Sequence, residues 1–589
     1  MPSPFVALFV ALIQIAGGGN FSVPAQASQV KAPASASSEK DKCALSGRVT
    51  NRQTGEPLKK ATLNLMLRNN ATNGAYANTG YTDTSEPDGS FKFEGIEPGE
   101  YSLFGQRSGY VQTQYGSKSG FVSGTVISLQ PGQKLTDLKM QLIPQVTISG
   151  VVLDEEGDPV PGIAVEALAR FWGPGKRAYI PLGQATTDDT GAYRISNLMP
   201  GKYYVAAKNA REQMMGMRET PAIPGKTDVR PVRTFYPSSL ERSGASPVEL
   251  KAGDGLRGID IRMRSVETFH IRGKVAGDFG PSEGQPMMLL LTPHSEEGSP
   301  FEFVSGVVDK DHTFDIGRVM PGTYQLSLMN FDGAAQKFAR QIVTVGSADL
   351  NDVVLSIQST FKIHGSVELQ GNTSANSKGK GLEGLEVTLG PADLSNGIFN
   401  TNAQATTKSD GTFALDNVAP GKMRVYVTNE PAGFYLTSIR FGHQETLGKI
   451  LDLTQAAGGD LHVTLHSGAA EVSGTVKTRG DDAAATTSTA SILLIPEDLT
   501  LNGGSVHTTN TNQNGAFKEG GLSPGRYYVL AYEAEGYQDF DDPTLLKQLV
   551  GKGTKVDVKE NDKQQVQLTL LAAEELQQAL AASEVGNYQ

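Results

Sequence analysis

The residues of this chain best suited to contact a ligand are aromatic side chains in predicted loops. Trp172 is the sole tryptophan, and Phe171 precedes it in a segment that continues as Gly-Pro-Gly. Tyr115 and Tyr236 lie in two further predicted loops. Aromatic rings with an apolar body stack on sugars and are also common in protein interfaces, so these four are the candidate ligand-binding residues. Packing over the rim of a hydrophobic core is the alternative role for each of them.

Residues that could hold a metal or catalyse a reaction are scattered. His294 and Glu297 match the H-x-x-E spacing of zinc ligands, but they lie in a polar loop and no third ligand follows. His462 and His466 share one face of a strand in a single unit of the chain. Acidic turns such as 188–189 suit tight-turn chemistry without calcium. We therefore predict no catalytic residue, no metal, no cofactor and no enzyme activity.

Composition places the chain among exported, multi-domain proteins. Its 589 residues carry a formal net charge of −11 without a basic run, which argues against nucleic acid as a partner. The first 27 residues contain no charged side chain, and 5–16 form an apolar run of signal-peptide length. We predict a signal peptide at 1–27, a flexible leader at 28–43 and no transmembrane segment in the mature chain. Cys43 is the only cysteine, so no internal disulfide can form.

One motif organises the rest of the chain. It places an aromatic-x-apolar strand after a tight turn and a Pro-Gly turn before a second strand. Its first position and the glycine of its Pro-Gly turn are ten positions apart in all five copies, which occupy 89–101, 191–203, 312–324, 411–423 and 515–527. His312, Met423 and Glu519 depart from the pattern, and we expect looser packing around them.

A second pattern opens each unit. It is an alternating strand with a central glycine, found at 45–49, 148–152, 271–275, 363–367 and 472–476. Glycine in a strand indicates a bulge or a close backbone approach. Short strands with frequent turns predict an all-β chain of five tandem antiparallel β-sandwich modules of the transthyretin or immunoglobulin-like type. We place the modules at 44–143, 146–266, 268–358, 360–467 and 470–571, with a C-terminal tail at 572–589 that forms a short exposed helix or is disordered.

These two patterns and the P-G-x-Y turn resemble the carboxypeptidase regulatory-like family. That resemblance implies a transthyretin-like sandwich, similar in shape to starch-binding and collagen-adhesin B-type (CnaB-like) modules. It implies little about activity, because this fold carries many functions. Adhesin modules of this shape can form a Lys–Asn or Lys–Asp isopeptide bond from the opening strand, but only the third opening strand has a lysine, Lys274.

Three functions remain open at this point. The chain is predicted to be a non-catalytic structural or interaction protein of the periplasm, outer cell surface or extracellular space. Its partner would be an unknown envelope protein. The alternative is a carbohydrate-binding protein that recognises extracellular or wall polysaccharide through the loop aromatics. An accessory peptidase role rests on the family name alone. Short linkers such as 264–267 favour limited bending between modules.

Overall fold

The structure is a computed structural model. It describes residues 41–68, 76–117, 124–173, 176–209, 228–279, 287–294, 303–329, 338–371, 382–392, 403–448, 450–454, 459–477, 490–499, 506–533, 540 and 543–585. The predicted signal peptide and nearly all of the predicted leader lie outside these ranges. Strands dominate the described chain, which confirms the all-β prediction.

The first two units contain eighteen strands in the described residues. Those of the first are β1 (Cys43–Asn51), β2 (Thr62–Arg68), β3 (Tyr76–Thr84), β4 (Ser90–Ile96), β5 (Gly99–Gln106), β6 (Thr113–Gln114), β7 (Ile127–Leu129) and β8 (Lys134–Leu142). Those of the second are β9 (Val146–Leu153), β10 (Ile163–Gly173), β11 (Lys176–Thr186), β12 (Ala192–Leu198), β13 (Gly201–Asn209), β14 (Asp228–Val232), β15 (Thr234–Phe235), β16 (Val248–Leu250), β17 (Gly255–Leu256) and β18 (Ile261–Arg262), with a short 3₁₀ helix at Arg242–Gly244.

The remaining units follow the same scheme. The third has β19 (Arg264–Ala276), β20 (Met287–Pro293), β21 (Val304–Val308), β22 (Thr313–Val319), β23 (Gly322–Met329), β24 (Ala339–Val345) and β25 (Leu350–Ser356). The fourth has β26 (Phe361–Gln370), β27 (Glu386–Pro391), β28 (Ala403–Thr406), β29 (Thr412–Val418), β30 (Lys422–Thr428), β31 (Phe434–Phe441), β32 (Gln444–Glu445), β33 (Leu451–Asp452) and β34 (Leu461–Ser467). The fifth has β35 (Ala470–Lys477), β36 (Ser491–Pro496), β37 (His507–Asn510), β38 (Ala516–Leu522), β39 (Gly525–Tyr532), helix α1 (Pro543–Val550), β40 (Thr554–Val558), β41 (Lys563–Leu571) and helix α2 (Ala573–Val585).

Each unit builds its first sheet around its opening strand. In the first unit β1 pairs antiparallel with the motif strand β4 and parallel with the closing strand β8. The same arrangement recurs in the third, fourth and fifth units, where the closing strands are β25, β34 and β41. The sandwich prediction is confirmed, but the sheets are mixed and not purely antiparallel. Alternating patterns in single strands carry no information about the direction of the neighbouring strand.

The second sheet of each unit holds the strand that follows the Pro-Gly turn, for example β5 between β2 and β7. Side chains of the two sheets meet in one large hydrophobic cluster for each unit. In the fifth unit β41 also pairs with β39, which joins the two sheets into one of seven strands.

The P-G-x-Y motif fixes the turn between the two sheets. The hydroxyl of Tyr101 donates to the carbonyl oxygen of Glu97 at 2.8 Å, and that of Tyr203 donates to Met199 at 2.7 Å. The corresponding tyrosines of the third and fifth units make the same bond to the residue four positions earlier. Each ring is therefore buried while its hydroxyl is satisfied, which explains why this position is tyrosine and not phenylalanine.

The three departures from the motif have distinct outcomes. His312 adopts a φ of 65°, as the turn requires, and its ring stacks on Phe279 with centroids 3.8 Å apart. Met423 is buried in the core of the fourth module. Glu519 is also buried, and its carboxylate lies 3.2 Å from Nδ1 of His507. Thus the fifth module replaces an apolar pair by a polar pair.

The fifth module contains a helix in addition to the one predicted in the C-terminal tail. Helix α1 was not predicted, because its eight residues are too few to show a clear helical period. Helix α2 matches the predicted helical segment, but it is not simply exposed. Leu576 and Ala579 are buried with Leu545 and Leu549 of α1 against the outer face of the sheet formed by β36 and β39. The tail is thus packed on the fifth module through Leu576 and Ala579 of α2.

Candidate ligand-binding surface

The second module carries the longest hairpin that the structure describes. Strands β10 and β11 have eleven residues each, whereas β2, at the same place in the first module, has seven. Their pairing continues to the tip, with Phe171 opposite Ala178 and Trp172 opposite Arg177. Two of the four candidate residues therefore lie near the tip of a hairpin and not in an irregular loop.

The other two candidates lie on module cores. Tyr115 is half-buried against the core of the first module, and burial raises the pKa of its hydroxyl. Tyr236 packs against the core of the second module, and its backbone N–H donates to the carbonyl oxygen of Val205 at 2.8 Å. The structure thus places Tyr115 in the first module and the other three in the second. It does not gather all four into one site.

A further aromatic group covers the outer face of the second module's sheet. Tyr179 and Tyr204 meet edge to face with centroids 5.4 Å apart, and the guanidinium of Arg242 lies 3.7 Å from the centre of the Tyr179 ring. Phe235 and Leu168 complete the cluster. Neither Tyr179 nor Tyr204 is among the candidates predicted from the sequence. The signal for Tyr204 was the second aromatic residue in P-G-x-Y-Y, whose side chain must point away from the core when that of Tyr203 points inward.

The same outer face contains a buried ion cluster. Glu166 alternates along β10 with core residues and has a side chain that is only 2% exposed. Its carboxylate lies 2.8 Å from Nζ of Lys208 and 3.7 Å from the guanidinium of Arg233. A buried charge needs a partner of opposite sign, and here both cations lie beside the same carboxylate. The signal in the sequence was an isolated glutamate within an apolar strand.

The remaining sequence candidates have structural roles where the structure describes them. His462 lies 3.0 Å from the hydroxyl of Ser366, and His466 lies beside Tyr435 and Glu560, so the two histidines have separate partners. His294 is described, but the rest of its H-x-x-E segment lies outside the described residues. Within the described part of the chain, no group of three or more His, Cys, Asp or Glu side chains could hold a metal ion.

The acidic turns are held by hydrogen bonds within each turn. The Asp188 carboxylate accepts the hydroxyl of Thr190 at 2.7 Å together with two backbone N–H groups, and these bonds hold the pKa of Asp188 below its ordinary value. Asp88, Asp311 and Asp410 each accept a hydroxyl two residues later in the same way. These contacts account for the acidic residues as turn formers.

The carboxypeptidase regulatory-like domain is the family whose model matches this chain, at residues 44–142 and 147–216. The match covers the first module and the first part of the second. The resemblance inferred from the repeat is thereby confirmed. The third, fourth and fifth modules repeat the sheet plan of these domains around the same two patterns.

Several solved structures are similar to parts of the chain. The minor pilin GBS52 of Streptococcus agalactiae is 12% identical, covers 38% of this chain and 96% of its own, and has a TM-score of 0.22. The TIE protein of Bacillus anthracis is 11% identical over 91% of this chain and 76% of its own, with a TM-score of 0.14. Two B repeat units of the Staphylococcus aureus collagen-binding protein are 13% identical over 72% and 99%, with a TM-score of 0.12. TM-scores this low support no inference about function. No curated protein matches the chain.

Among the described residues, no helix is both long enough and apolar enough to cross a membrane.

Proposed function

We propose that this chain is an exported, non-catalytic protein of the cell envelope or extracellular space. In this proposal its β-sandwich modules form a scaffold that presents hairpins and outer sheet faces to a partner protein. The observation that carries the proposal is that the residues recurring in every repeat lie in the cores, whereas the outer faces differ. The recurring residues, such as Tyr101, Tyr203 and Tyr527, are all used for packing the cores.

The outer faces, in contrast, differ from module to module. The second module has its ion cluster and its aromatic group there, and the fifth has two helices. A scaffold whose cores repeat while its surfaces vary suits binding better than catalysis. The functional groups that a reaction needs would have to converge at one place, and the sequence candidates do not.

A second candidate is recognition of an extracellular or wall polysaccharide. The long β10–β11 hairpin favours it, because Phe171 and Trp172 lie in the part of β10 that exceeds the seven residues of the equivalent strand β2. Tyr236 lies in the same module. Aromatic residues near the tip of a hairpin are suited to stack on sugar rings, and they are equally suited to a protein interface.

One experiment separates the two candidates. The mature chain from Ser28 onward is tested for binding to a panel of polysaccharides, beside Trp172→Ala and beside Tyr528→Ala, which removes an aromatic ring from the fifth module. We expect no saturable binding to any polysaccharide, and crosslinking on intact cells should then recover a defined envelope protein. Saturable binding that Trp172→Ala weakens about tenfold or more, while Tyr528→Ala does not, would replace the proposal by the carbohydrate function.

A further inference from the structure

Strand β7 is an edge strand of the first module, and residues of the fifth module lie along its outer side. On its inner side β7 pairs with β5, with Ser128 opposite Glu100. On its outer side, Val126 forms a parallel bridge with Asn512. The backbone N–H of Val126 donates to the carbonyl oxygen of Thr511 at 3.3 Å. The first and fifth modules, which are farthest apart in sequence, therefore meet at a strand edge.

The side chain of Gln513 continues this pairing. Its Oε1 accepts the backbone N–H of Ser128 at 3.0 Å, and its Nε2 donates to the carbonyl oxygen of the same residue at 2.9 Å. A carboxamide has one acceptor and a donor in the geometry of a peptide group. Gln513 thus pairs with Ser128 as another strand residue would, and the polar groups of the edge are satisfied.

The sequence of the turn fits this contact. Residues 512–514 are Asn-Gln-Asn, the fifth copy of the tight turn that precedes the motif strand. The corresponding residues of the other four copies, at 86–88, 188–190, 309–311 and 408–410, each include at least one charged side chain. In the fifth copy Asn512 makes the turn bonds without charge, because its side-chain oxygen accepts the N–H groups of Asn514 and Ala516. A neutral turn can lie on a strand edge without burying an unpaired charge.

Val126 gives independent support for the contact. It is 7% exposed, although it does not belong to the hydrophobic core of the first module. Val126 instead lies at the bridge to Asn512, where the two modules meet.

Successive modules are connected by structured joints. Strand β14 of the second unit pairs with the start of β19, and Phe338 of the third unit lies in the core of the fourth module. The N–H of Asn561 donates to the carbonyl oxygen of Gly468 at 2.7 Å between the fourth and fifth units. Between the first and second, the N–H of Gln145 donates to Gly109 at 3.1 Å. Joints that restrict bending raise the effective concentration of one end of the chain at the other.

We propose that the β7 edge is a docking surface for residues 511–513 of the same chain, and that the five modules form a closed ring in solution. We name this contact the ring seam. The proposal goes beyond the proposed function and does not depend on it.

The test measures the distance across the ring seam. Gln130 and Asn514 are exposed residues on its two sides, and both are replaced by cysteine for spin labelling of the mature chain. The native Cys43 is 1% exposed and should not react in the folded protein. We expect pulsed electron resonance to show one narrow, short-distance peak. A broad, long-distance distribution in this otherwise unchanged chain would overturn the proposal.

Substitution of the carboxamide tests its role. Gln513→Glu removes the donor and places a carboxylate against the carbonyl oxygen of Ser128, so the ratio of closed to open chains should fall about tenfold. Ser409→Glu adds the same charge at the corresponding exposed turn position of the fourth module and should leave the short peak unchanged. If Gln513→Glu also leaves it unchanged, the ring seam is not built as we propose. A short distance between two singly labelled chains that disappears on dilution would show docking to a second copy and would also reject the ring.

Discussion

At the scale of single residues, the fifth module has a polar pair at two positions where the fourth module has an apolar pair. Glu519 occupies the position of Leu415 in the fourth module, and His507 occupies that of Ala403, since both pairs have the same register in their sheets. Leu415 and Ala403 belong to the core of the fourth module. The fold therefore accepts either an apolar or a polar pair at these two sites.

We expect the two residues of the polar pair to be strongly coupled. His507→Ala leaves a carboxylate buried without its partner and should lower the free energy of unfolding of the fifth module by about 3–5 kcal/mol. Glu519→Leu should cost about 1–3 kcal/mol, because it leaves a buried imidazole without its partner. The double substitution restores the pair of the fourth module and should lie within about 1 kcal/mol of the parent protein.

Native-state hydrogen exchange of β38 in the full chain measures these three free energies. Additive effects of the two single substitutions in the double variant would contradict the coupling.

At the scale of elements, the opening strands explain their central glycines. A Cβ on Gly273 would lie 2.0 Å from the carbonyl oxygen of Val353 on the parallel closing strand. A Cβ on Gly47 or Gly474 would likewise lie 2.2 or 2.0 Å from a carbonyl oxygen of its closing strand. The ladder between opening and closing strands also shifts register just before Gly47 and Gly273. The structure therefore contains both features that the sequence predicts for this glycine, a bulge and a close backbone approach.

Replacement of this glycine should separate the two strands. Gly273→Ala should lower the free energy of unfolding of the third module by about 1–3 kcal/mol, because the methyl group meets backbone that cannot rotate away. Gly346→Ala is the matched control in the same module, since a Cβ there has no neighbour within 4 Å. Hydrogen exchange of β19 and β25 measures both effects. Equal protection in the two variants would show that the close approach does not constrain the strand pair.

At the scale of the whole molecule, the modules are connected by more than linkers. The predicted linker at 264–267 is part of β19, where it pairs with β14. At the next joint Phe338 precedes β24 in the third unit, yet it packs with the core of the fourth module. Arg340 lies 5.3 Å from the centre of this ring and donates to the carbonyl oxygen of Pro420 at 3.3 Å. Burial at this joint lowers the pKa of Arg340 from its ordinary value.

A core residue supplied by a neighbouring unit should couple the stability of two modules. Phe338→Ala should reduce the protection of β27 and β29 by about 3–5 kcal/mol, because it opens a cavity in the core of the fourth module. Leu328→Ala, a core substitution in the third module itself, should reduce protection in β20 and β23 instead. Hydrogen exchange of the full chain separates the two patterns. Loss of protection confined to the third module in Phe338→Ala would contradict the coupling.

The sequence by itself determined what depends on short stretches of chain. The alternation around Phe91 and Phe93, the turn glycines and P-G-x-Y indicate strands and tight turns locally, and their fivefold recurrence gives the sandwich fold. Candidate ligand-binding residues were harder to interpret. Tyr115 and Tyr236 are of a residue type common at binding surfaces. Their packing on module cores, however, depends on residues far away in sequence.

Only the tertiary structure decided which distant groups meet. The parallel pairing of opening and closing strands, the ion cluster around Glu166 and the contact of Gln513 with Ser128 join residues about 40 to 385 positions apart. No local pattern encodes such a contact, because a buried charge or an amide at a strand edge is stable only through the partner that folding brings to it. The sequence therefore specifies the repeated cores, and the tertiary structure specifies how their outer faces are filled and how the modules join.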